Sequence, residues 1–303
     1  MGVTAVTSAK APAAPKSFDW RVIAAFFAIY VIWGTTFLAI RIAVLEIPPL
    51  FAAGTRFLIG GAILYGFTRL RRQPGPTRSQ WRSLTMIALL MFVAEYGPLF
   101  WAEKYVPSGI ASVLEATLPL ITLALETWVF RRHPFHWPLL IAVSLGFCGV
   151  GILLFHNGEH VGLLPFLAIL FGVTGWSLGA VLTGSLDLPD SRPLTSGAAM
   201  LLGGVLLLGL SGLFGELHPF PHVSLRAAAA LIYLIAFGSL LGFTAFFWLL
   251  ARMPATRVSS HAYVNPVVAV AAGYFLAGET ISARTLIGAG LVLASVVVIL
   301  RKR

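Results

Sequence analysis

Ten apolar stretches of about 17–24 residues run through this chain of 303 residues, separated by short polar loops. A helix rising 1.5 Å per residue needs roughly 20 apolar residues to cross a hydrocarbon core of about 30 Å. Because lipid offers no water to the backbone, such stretches must be helices. Only 11% of the residues are charged and 58% are hydrophobic, whereas soluble domains carry about 25% charged residues. The sequence therefore predicts an all-α integral membrane protein.

A hydropathy window of about 19 residues locates the transmembrane spans. They are predicted at 20–41, 50–68, 84–102, 109–130, 138–155, 163–185, 194–214, 227–250, 257–277 and 283–300. Residues 1–19 are rich in Ala, Pro and Lys and lack the apolar segment of a cleavable signal peptide. They are expected to form a disordered cytoplasmic tail.

The net charge of +10 could suggest a nucleic-acid partner, but the placement of the charges argues against one. With ten spans and both termini in the cytoplasm, sixteen of the 21 basic residues are cytoplasmic: Lys10, Lys16, Arg21, Arg69, Arg71, Arg72, Arg78, Arg82, Arg131, Arg132, Arg192, Arg252, Arg257, Arg301, Lys302 and Arg303. The opposite side holds four: Arg41, Lys104, Arg226 and Arg284. This asymmetry follows the positive-inside rule. It predicts a multi-pass protein of the plasma membrane, such as a bacterial inner membrane, with both termini cytoplasmic.

The chain matches itself at a constant offset of 147 residues from span 3 into span 5. The aligned pairs include Trp101 with Trp248, Pro107 with Pro254, Ser112 with Ser259, and Pro119 with Pro266. Because each copy has an odd number of spans, the second copy must enter the membrane from the opposite side. The pattern predicts two inverted five-helix repeats, 20–155 and 163–300, around a central cavity, as in secondary transporters. A duplication without a transport role is the alternative.

Charged residues within the spans are candidates for function, because a charge at the bilayer centre costs about 2.5–3.5 kcal/mol on insertion scales. The strongest candidates are Arg56, Glu95 and Glu115. Arg56 is expected to pair with a carboxylate of the spans or to bind a substrate carboxylate. A structural ion pair between two helices is the alternative.

Span 4 carries a polar stripe, because Glu115, Pro119, Thr122 and Glu126 are spaced by four, three and four residues. Residues at this spacing share one face of a helix, so the stripe predicts a wet cavity. Glu115 is the candidate for binding substrate or a proton. Glu126 lies near the cytoplasmic end of the span and could instead reach the interface.

His261 shares a helix face with Asn265 and is a candidate carrier of a coupling proton or a hydrogen-bonded packing residue. The aromatic candidates for an apolar substrate cavity are Trp33, Tyr96, Trp176 and Tyr263. The matched prolines, Pro119 and Pro266, predict kinks that act either as hinges or as static bends.

No catalytic residue, metal site or cofactor is predicted. The sequence has no Walker motif, no HExxH motif and no metal-ligand spacing among its histidines. Its one cysteine, Cys148, excludes an intramolecular disulfide. An intramembrane lipid-modifying enzyme is disfavoured, because no set of His, Asp and Ser residues clusters near one interface.

Several short segments carry a family resemblance through their order and spacing. They are Trp33-Gly34, Pro48-Pro49, Arg56-Phe57, V-P-S-G-I-A-S-V at 106–113, Pro119, Y-V-N-P-V-V-A-V at 263–270, and Gly278-Glu279. On these segments the chain, over roughly 20–300, resembles the ten-helix EamA-type branch of the drug/metabolite transporter superfamily. The resemblance implies a carrier that usually exports amino acids, related metabolites or drug-like compounds.

The sequence thus predicts a secondary transporter that works by alternating access, either driven by protons or as a facilitator. Its expected partners are a small-molecule substrate, such as an amino acid or another metabolite, and membrane lipid, with no nucleic acid. An importer, a channel and the lipid-modifying enzyme are the alternatives. Channels usually build a symmetric pore from several subunits, whereas the repeat indicates a cavity within a monomer.

Overall fold

The computed structural model of the chain describes residues 19–106, 108–131, 137–154, 162–216, 222–277 and 283–301. Within these ranges the regular elements are all helices. Most of the predicted N-terminal tail, together with Pro107 and Gly278-Glu279, lies outside them.

The helices follow one another with short connections. In chain order they are α1 (Trp20–Val44), α2 (Pro49–Leu70), α3 (Arg78–Ala102), α4 (Ser108–Glu115), α5 (Leu118–Val129), α6 (Trp137–Leu154), α7 (Leu163–Thr183), α8 (Arg192–Leu213), α9 (Leu225–Leu250), α10 (Ala255–Val258), α11 (His261–Ala277) and α12 (Ala283–Arg301). Among these, α1, α2, α3, α7, α8 and α9 are long and apolar enough to cross a membrane. Shorter apolar helices occur in the fourth, fifth and tenth predicted spans, at Leu118–Val129, Leu140–Gly149 and Leu286–Ser295. The prediction of an all-α membrane protein is confirmed.

The fourth and ninth predicted spans are each divided into two helices, α4 with α5 and α10 with α11. Both divisions lie ahead of a proline, because Pro119 is the second residue of α5 and Pro266 lies inside α11. A proline has no N–H for the carbonyl four residues earlier, so the preceding turn loses a helical bond. The carbonyls concerned are those of Glu115 and Ala262. At the two divisions themselves the backbone makes tighter bonds between residues three apart, from Thr117 to Leu114 and from Ala262 to Ser259, each 3.1 Å long.

Three of the spans contain π-helical segments, which are Ala88–Val93 in α3, Leu125–Val129 in α5 and Leu234–Phe243 in α9. A π-helical turn widens the helix, turns the residues after it toward another face, and is often found at functional sites. Glu95 follows the first of these segments closely. The wider turns therefore help to set which side chains face the middle of the bundle.

The helices pack in pairs: α2 lies along α8, α6 along α12, α3 along α7, and α1 along both α9 and α11. Glycines bring the backbones of α2 and α8 close together. A Cβ atom on Gly197 would lie 2.6 Å from the backbone nitrogen of Tyr65, and one on Gly54 would lie 2.9 Å from that of Leu208. Small residues of this kind allow membrane helices to approach closely.

A large apolar cluster fills the centre of the bundle, and a smaller one joins α6 and α12 to α11. Tyr263 belongs to the smaller cluster, where its hydroxyl donates to the carbonyl of Val143 at 3.2 Å. On the outside, large apolar side chains such as Phe27 (66% exposed) and Phe171 (62% exposed) are uncovered. A lipid environment accounts for such a surface, since no aqueous solvent surrounds the middle of a membrane protein.

Carboxylates cap helix N-termini at one end of the bundle, which we call the Glu46 end. Glu46 follows α1, and its carboxylate accepts hydrogen bonds from the backbone nitrogen (2.7 Å) and hydroxyl (2.8 Å) of Ser224, just before α9. Glu216 follows α8 and accepts from the nitrogens of Leu50 (3.2 Å) and Phe51 (2.9 Å) in the first turn of α2. Each carboxylate thus satisfies amide donors that have no partner within the helix.

The opposite end, which we call the Glu126 end, has a related contact. The carboxylate of Glu126, near the end of α5, accepts from the backbone nitrogen of Ala255 at 3.1 Å and from the hydroxyl of Thr256. Glu126 therefore caps α10. It is buried against this helix rather than exposed at the interface.

Candidate functional site

A cavity lies between α1, α3, α4, α5, α7 and α11. It is lined by seven of the predicted pathway residues, which are Trp33, Glu95, Tyr96, Glu115, Trp176, His261 and Asn265. Toward the Glu46 end its walls are made by Thr36, Phe37, Ile40 and Leu99. The cavity volume is about 30 Å³, and a buried water needs at least about 10–15 Å³ of such space. In this conformation it has room for no more than a few waters, so it must widen to admit a metabolite.

The carboxyl groups of Glu95 and Glu115 both line the cavity and lie close enough to interact with each other. Both side chains are buried, at 3% and 6% exposure. Two carboxyl groups share a hydrogen bond only when one of them carries a proton, because an ionised carboxylate has no hydrogen to donate. The remaining oxygens, Oε2 of Glu95 and Oε1 of Glu115, have no partner among the described residues. The pair can therefore hold a proton and still accept further hydrogen bonds.

Local structure explains how the two acids meet. Glu115 is the last residue of α4, immediately before the break that precedes Pro119. Glu95 comes shortly after the π-helical segment of α3 and lies against α7 at Gly172. A Cβ atom on Gly172 would lie 2.8 Å from Oε2 of Glu95 and 3.1 Å from its backbone oxygen. Glycine at this position therefore makes room for the acid.

Aromatic rings form much of the cavity wall. The rings of Trp33 and Trp176 meet edge to face with their centroids 5.4 Å apart, and the ring of Tyr96 lies 6.0 Å from that of Trp176. Such edge contacts are the favoured geometry of aromatic pairs. The indole nitrogen of Trp33 donates to the carbonyl of Gly238, in the π-helical segment of α9, at 3.1 Å. The indole nitrogen of Trp176 has no partner among the described residues.

His261 and Asn265 lie together at the α11 side of the cavity. With its amide nitrogen turned toward the backbone, Asn265 donates to the carbonyls of His261 (2.9 Å) and Tyr30 (3.3 Å). The amide oxygen then faces Nδ1 of His261, 3.4 Å away, so the ring hydrogen lies on Nδ1. Nε2 of His261 is left as an acceptor, and it has no partner in the described part of the chain.

Arg56 lies outside the cavity, behind Tyr96. Its Nε donates to the hydroxyl of Ser239 at 2.9 Å, and the guanidinium lies 4.9 Å from the ring centroid of Phe57 and 5.1 Å from that of Tyr96. Its two Nη nitrogens are buried and have no hydrogen-bond partner among the described residues. Within the described part of the chain, Arg56 forms no ion pair with a span carboxylate, which was one expectation from the sequence. Cation–π contacts with the two rings partly offset the cost of burying the charge.

The polar stripe of span 4 continues from the cavity toward the Glu126 end. Thr122 donates to the hydroxyl of Ser177 on α7 at 3.1 Å and lies 3.5 Å from the hydroxyl of Ser259. One turn further on, Glu126 caps α10. Hydrogen bonds between helices thus close the molecule between the cavity and the Glu126 end. Of the remaining predicted site residues, Tyr263 lies away from the cavity, in the smaller apolar cluster.

Glu103 is a buried acid that the sequence analysis did not single out. It follows α3, is fully buried, and has two carboxylate oxygens without partners among the described residues. A guanidinium nitrogen of Arg41 donates to its backbone carbonyl. The signal in the sequence was the spacing of Glu95, Leu99 and Glu103, which places all three on one face of α3. The hydropathy window ended the span at residue 102 and left Glu103 in a loop.

Comparison with known proteins identifies the family. The model of the EamA-like transporter family matches residues 20–155 and again 163–301. This chain belongs to the EamA-like transporter family. The resemblance seen in the sequence is therefore confirmed, and the protein is a multi-pass membrane transporter.

Similar proteins include two bacterial relatives. One, from Escherichia coli (strain K12), is named "Uncharacterized inner membrane transporter YedA"; it is 35% identical over 91% of this chain and 89% of the relative. Another, from Salmonella typhimurium, is named "Probable amino-acid metabolite efflux pump"; it is 26% identical over 88% of this chain and 90% of the relative. A solved crystal structure superposes with a TM-score of 0.73 over 93% of this chain and 96% of that chain. At 17% identity, that likeness concerns the fold alone.

Proposed function

We propose that this member of the EamA-like transporter family is a proton-coupled secondary carrier that exports small metabolites or drug-like compounds by alternating access. The observation that carries the proposal is the presence of two buried acids, Glu95 and Glu115, side by side on the lining of a cavity within a helical membrane protein. Ionisable groups placed inside a membrane protein commonly belong to substrate or proton pathways. The printed name of the Salmonella relative, an efflux pump for amino-acid metabolites, supports the export of a small metabolite.

The carrier is proposed to have ten spans in two inverted repeats, 20–155 and 163–300. The packing of the described helices supports this arrangement, because the contact of α1 with α9 has a counterpart in that of α7 with α3. The π-helical segments Ala88–Val93 and Leu234–Phe243 also fall in the 147-residue register of the repeat. The two ends also have similar contacts. At the Glu46 end, Glu46 accepts from Ser224 just before α9. At the Glu126 end, Asp187 accepts from the side-chain amide of Gln80 in the first turn of α3, at 3.4 Å.

Alternating access requires each end of the bundle to open in turn. In this conformation the hydrogen bond of Thr122 to Ser177 joins α5 to α7 between the cavity and the Glu126 end. Both termini are proposed to be cytoplasmic, so that the Glu126 end faces the cytoplasm and the Glu46 end faces outward. The helix breaks ahead of Pro119 and Pro266 are the proposed hinges. The protein is proposed to act as a monomer in lipid.

Transport by the purified protein in liposomes tests this function. We expect saturable counterflow of at least one compound from a panel of amino acids, amines and drugs, and faster transport when a pH gradient is imposed. Flux that rises linearly with concentration would indicate a channel, and chemical conversion of a lipid or substrate would indicate an enzyme. For the topology, a C-terminal alkaline phosphatase fusion should be inactive, and a fluorescent-protein fusion should be bright. The reverse pair of results would contradict the span count.

A further inference from the structure

We infer that the cavity binds the protonated amine of an organic cation with an aromatic or apolar body, and that this amine and a proton compete for the carboxyl pair of Glu95 and Glu115. The inference rests on the transport function proposed above and names its substrate class. It is drawn from the charges, the unpartnered atoms and the rings that line the cavity.

The charged groups on the cavity lining are both acids. Among the described residues, the lining includes Glu95 and Glu115 but no Lys or Arg. Each acid presents one oxygen that is buried and has no hydrogen-bond partner among the described residues. Burying such an acceptor without a partner is costly. An ammonium group offers up to three donors and a compensating charge, so it satisfies both free oxygens at once.

The other lining groups favour the same ligand. The rings of Trp33, Tyr96 and Trp176 surround the acids, and aromatic faces attract organic cations electrostatically. Nε2 of His261 is an unpartnered acceptor on the lining and suits an N–H donor. The rings also supply apolar surface to an aromatic body, provided that they part to widen the cavity.

The described lining offers no positively charged group to the carboxylate of a substrate. The unpartnered donor on the lining is the indole nitrogen of Trp176, which carries no positive charge. Arg56 is the nearby guanidinium, but it lies behind the ring of Tyr96 and is bonded to Ser239. A zwitterion would therefore leave its carboxylate buried without a cationic partner in this arrangement, which opposes its binding.

Competition with a proton follows from the closeness of the two acids. When an ammonium group binds between the carboxylates, a proton held by the pair is released, and the total charge in the cavity is unchanged. The other titratable groups around the pair are Tyr96 on α3, His261 on α11 and Glu103 after α3. The charged groups of the neighbouring helices are Arg41 on α1 and Arg56 on α2. These neighbouring groups can also respond to pH. Variants of Glu95 and Glu115 are therefore needed to show that the released proton comes from the pair.

The test uses three ligands that share a phenyl ring on a short chain and differ in charge. They are 2-phenylethylamine, which is a cation, phenylalanine, which is a zwitterion, and 3-phenylpropionate, which is an anion. Binding to the purified full-length protein in detergent is measured by calorimetry, and proton release by an indicator dye in weak buffer. We expect 2-phenylethylamine to bind at least about tenfold more tightly than the other two, a difference of about 1.4 kcal/mol. It should release protons on binding, and it should bind more weakly at lower pH.

Matched variants connect the effect to the pair. Glu115→Gln and Glu95→Gln are each expected to weaken amine binding at least about tenfold and to abolish proton release. Glu126→Gln, an equally buried acid away from the cavity, should bind the amine like the wild type. If a variant does not fold, the ligand series and the proton release of the wild-type protein remain decisive.

Three results would overturn the inference. These are equal or tighter binding of phenylalanine or 3-phenylpropionate, amine binding without proton release, and no detectable binding of the amine. In each case the counterflow experiment with the wider panel shows separately whether the protein is a carrier. A carrier of zwitterions would keep the proposed function and lose the substrate class assigned here.

Discussion

The carboxylates of the cavity and those of the helix ends differ in how their oxygens are used. Glu46, Glu126 and Glu216 give both oxygens to donors at the start of a helix. Glu95 and Glu115 lie beside each other on the cavity lining, and each has one buried oxygen without a partner among the described residues. Burial does not separate the two sets, because Glu126 is 4% exposed and Glu115 is 6% exposed. Hydrogen-bond satisfaction does separate them, and it distinguishes an acid that holds helices together from one that can bind a ligand.

The difference also concerns charge. A carboxylate at a helix N-terminus can stay ionised, because amide donors and the helix dipole stabilise the negative charge. Both oxygens of Glu126 accept hydrogen bonds from the start of α10. The cavity pair needs one proton for its own hydrogen bond. Changes at the cavity should alter transport and its pH dependence, whereas changes at the ends should alter stability.

The largest expected effect is that of Glu115→Gln. The amide keeps the shape of the side chain but cannot exchange a proton, so the pair loses its titration. We expect normal expression, transport reduced at least about tenfold, and a flattened pH dependence. Transport is measured in liposomes from about pH 5.5 to 8. Wild-type rates across this range would show that Glu115 is structural and would remove the basis of the comparison.

Glu126→Ala should have its main effect on stability. The change leaves the backbone nitrogen of Ala255 and the hydroxyl of Thr256 without their acceptor. Losing a helix cap costs about 0.5–2 kcal/mol, so thermal unfolding in detergent should occur several degrees lower. Glu126→Gln keeps one acceptor and should lose less. If Glu126→Ala instead flattened the pH profile of transport as Glu115→Gln is expected to, the two sets of acids would not differ as proposed.

Gly172→Ala tests how the cavity acid is positioned. The new Cβ atom would lie 2.8 Å from Oε2 of Glu95, so the carboxyl group must shift away from its partner. We expect amine binding and transport to fall severalfold while the protein stays folded. Gly209→Ala on α8 is the matched control, because a Cβ atom there meets nothing within 4 Å. Equal behaviour of the two variants would mean that the position of Glu95 does not matter.

Several features of this molecule could be predicted from the sequence because they depend on local patterns. The length of the apolar stretches determines where helices can cross a membrane, and α1 and α2 begin and end close to their predicted bounds, whereas α3 begins at Arg78 rather than at the predicted 84. The spacing of Glu115, Thr122 and Glu126 predicts one shared side of span 4. In the structure Thr122 contacts α7 and Glu126 contacts α10.

Other features depend on distances between helices, which one sequence does not contain. The meeting of Glu95 with Glu115 and the position of Arg56 behind Tyr96 are of this kind. Spacing alone could not distinguish an Arg–Glu pair from a Glu–Glu pair. Glu103 was missed because a hydropathy average treats a charge at the edge of a window as the end of a span. Its four-residue spacing from Leu99 was the more informative signal.

The smallest expected effect is that of Glu46→Gln at the Glu46 end. The backbone nitrogen of Ser224, and then its hydroxyl, lower the pKa of the Glu46 carboxyl group below its ordinary value of 4.5. A group whose pKa is lowered by folding stabilises the protein above its ordinary pKa, and the benefit is lost as the pH falls through the folded value. Glu46 is exposed, so solvent screens this contribution and it should be small. Thermal unfolding in detergent between about pH 3 and 6 measures it. The wild type should lose slightly more stability on acidification than Glu46→Gln, whose amide does not titrate. Identical pH dependence of the two proteins would show that this carboxylate contributes to the contact without its charge.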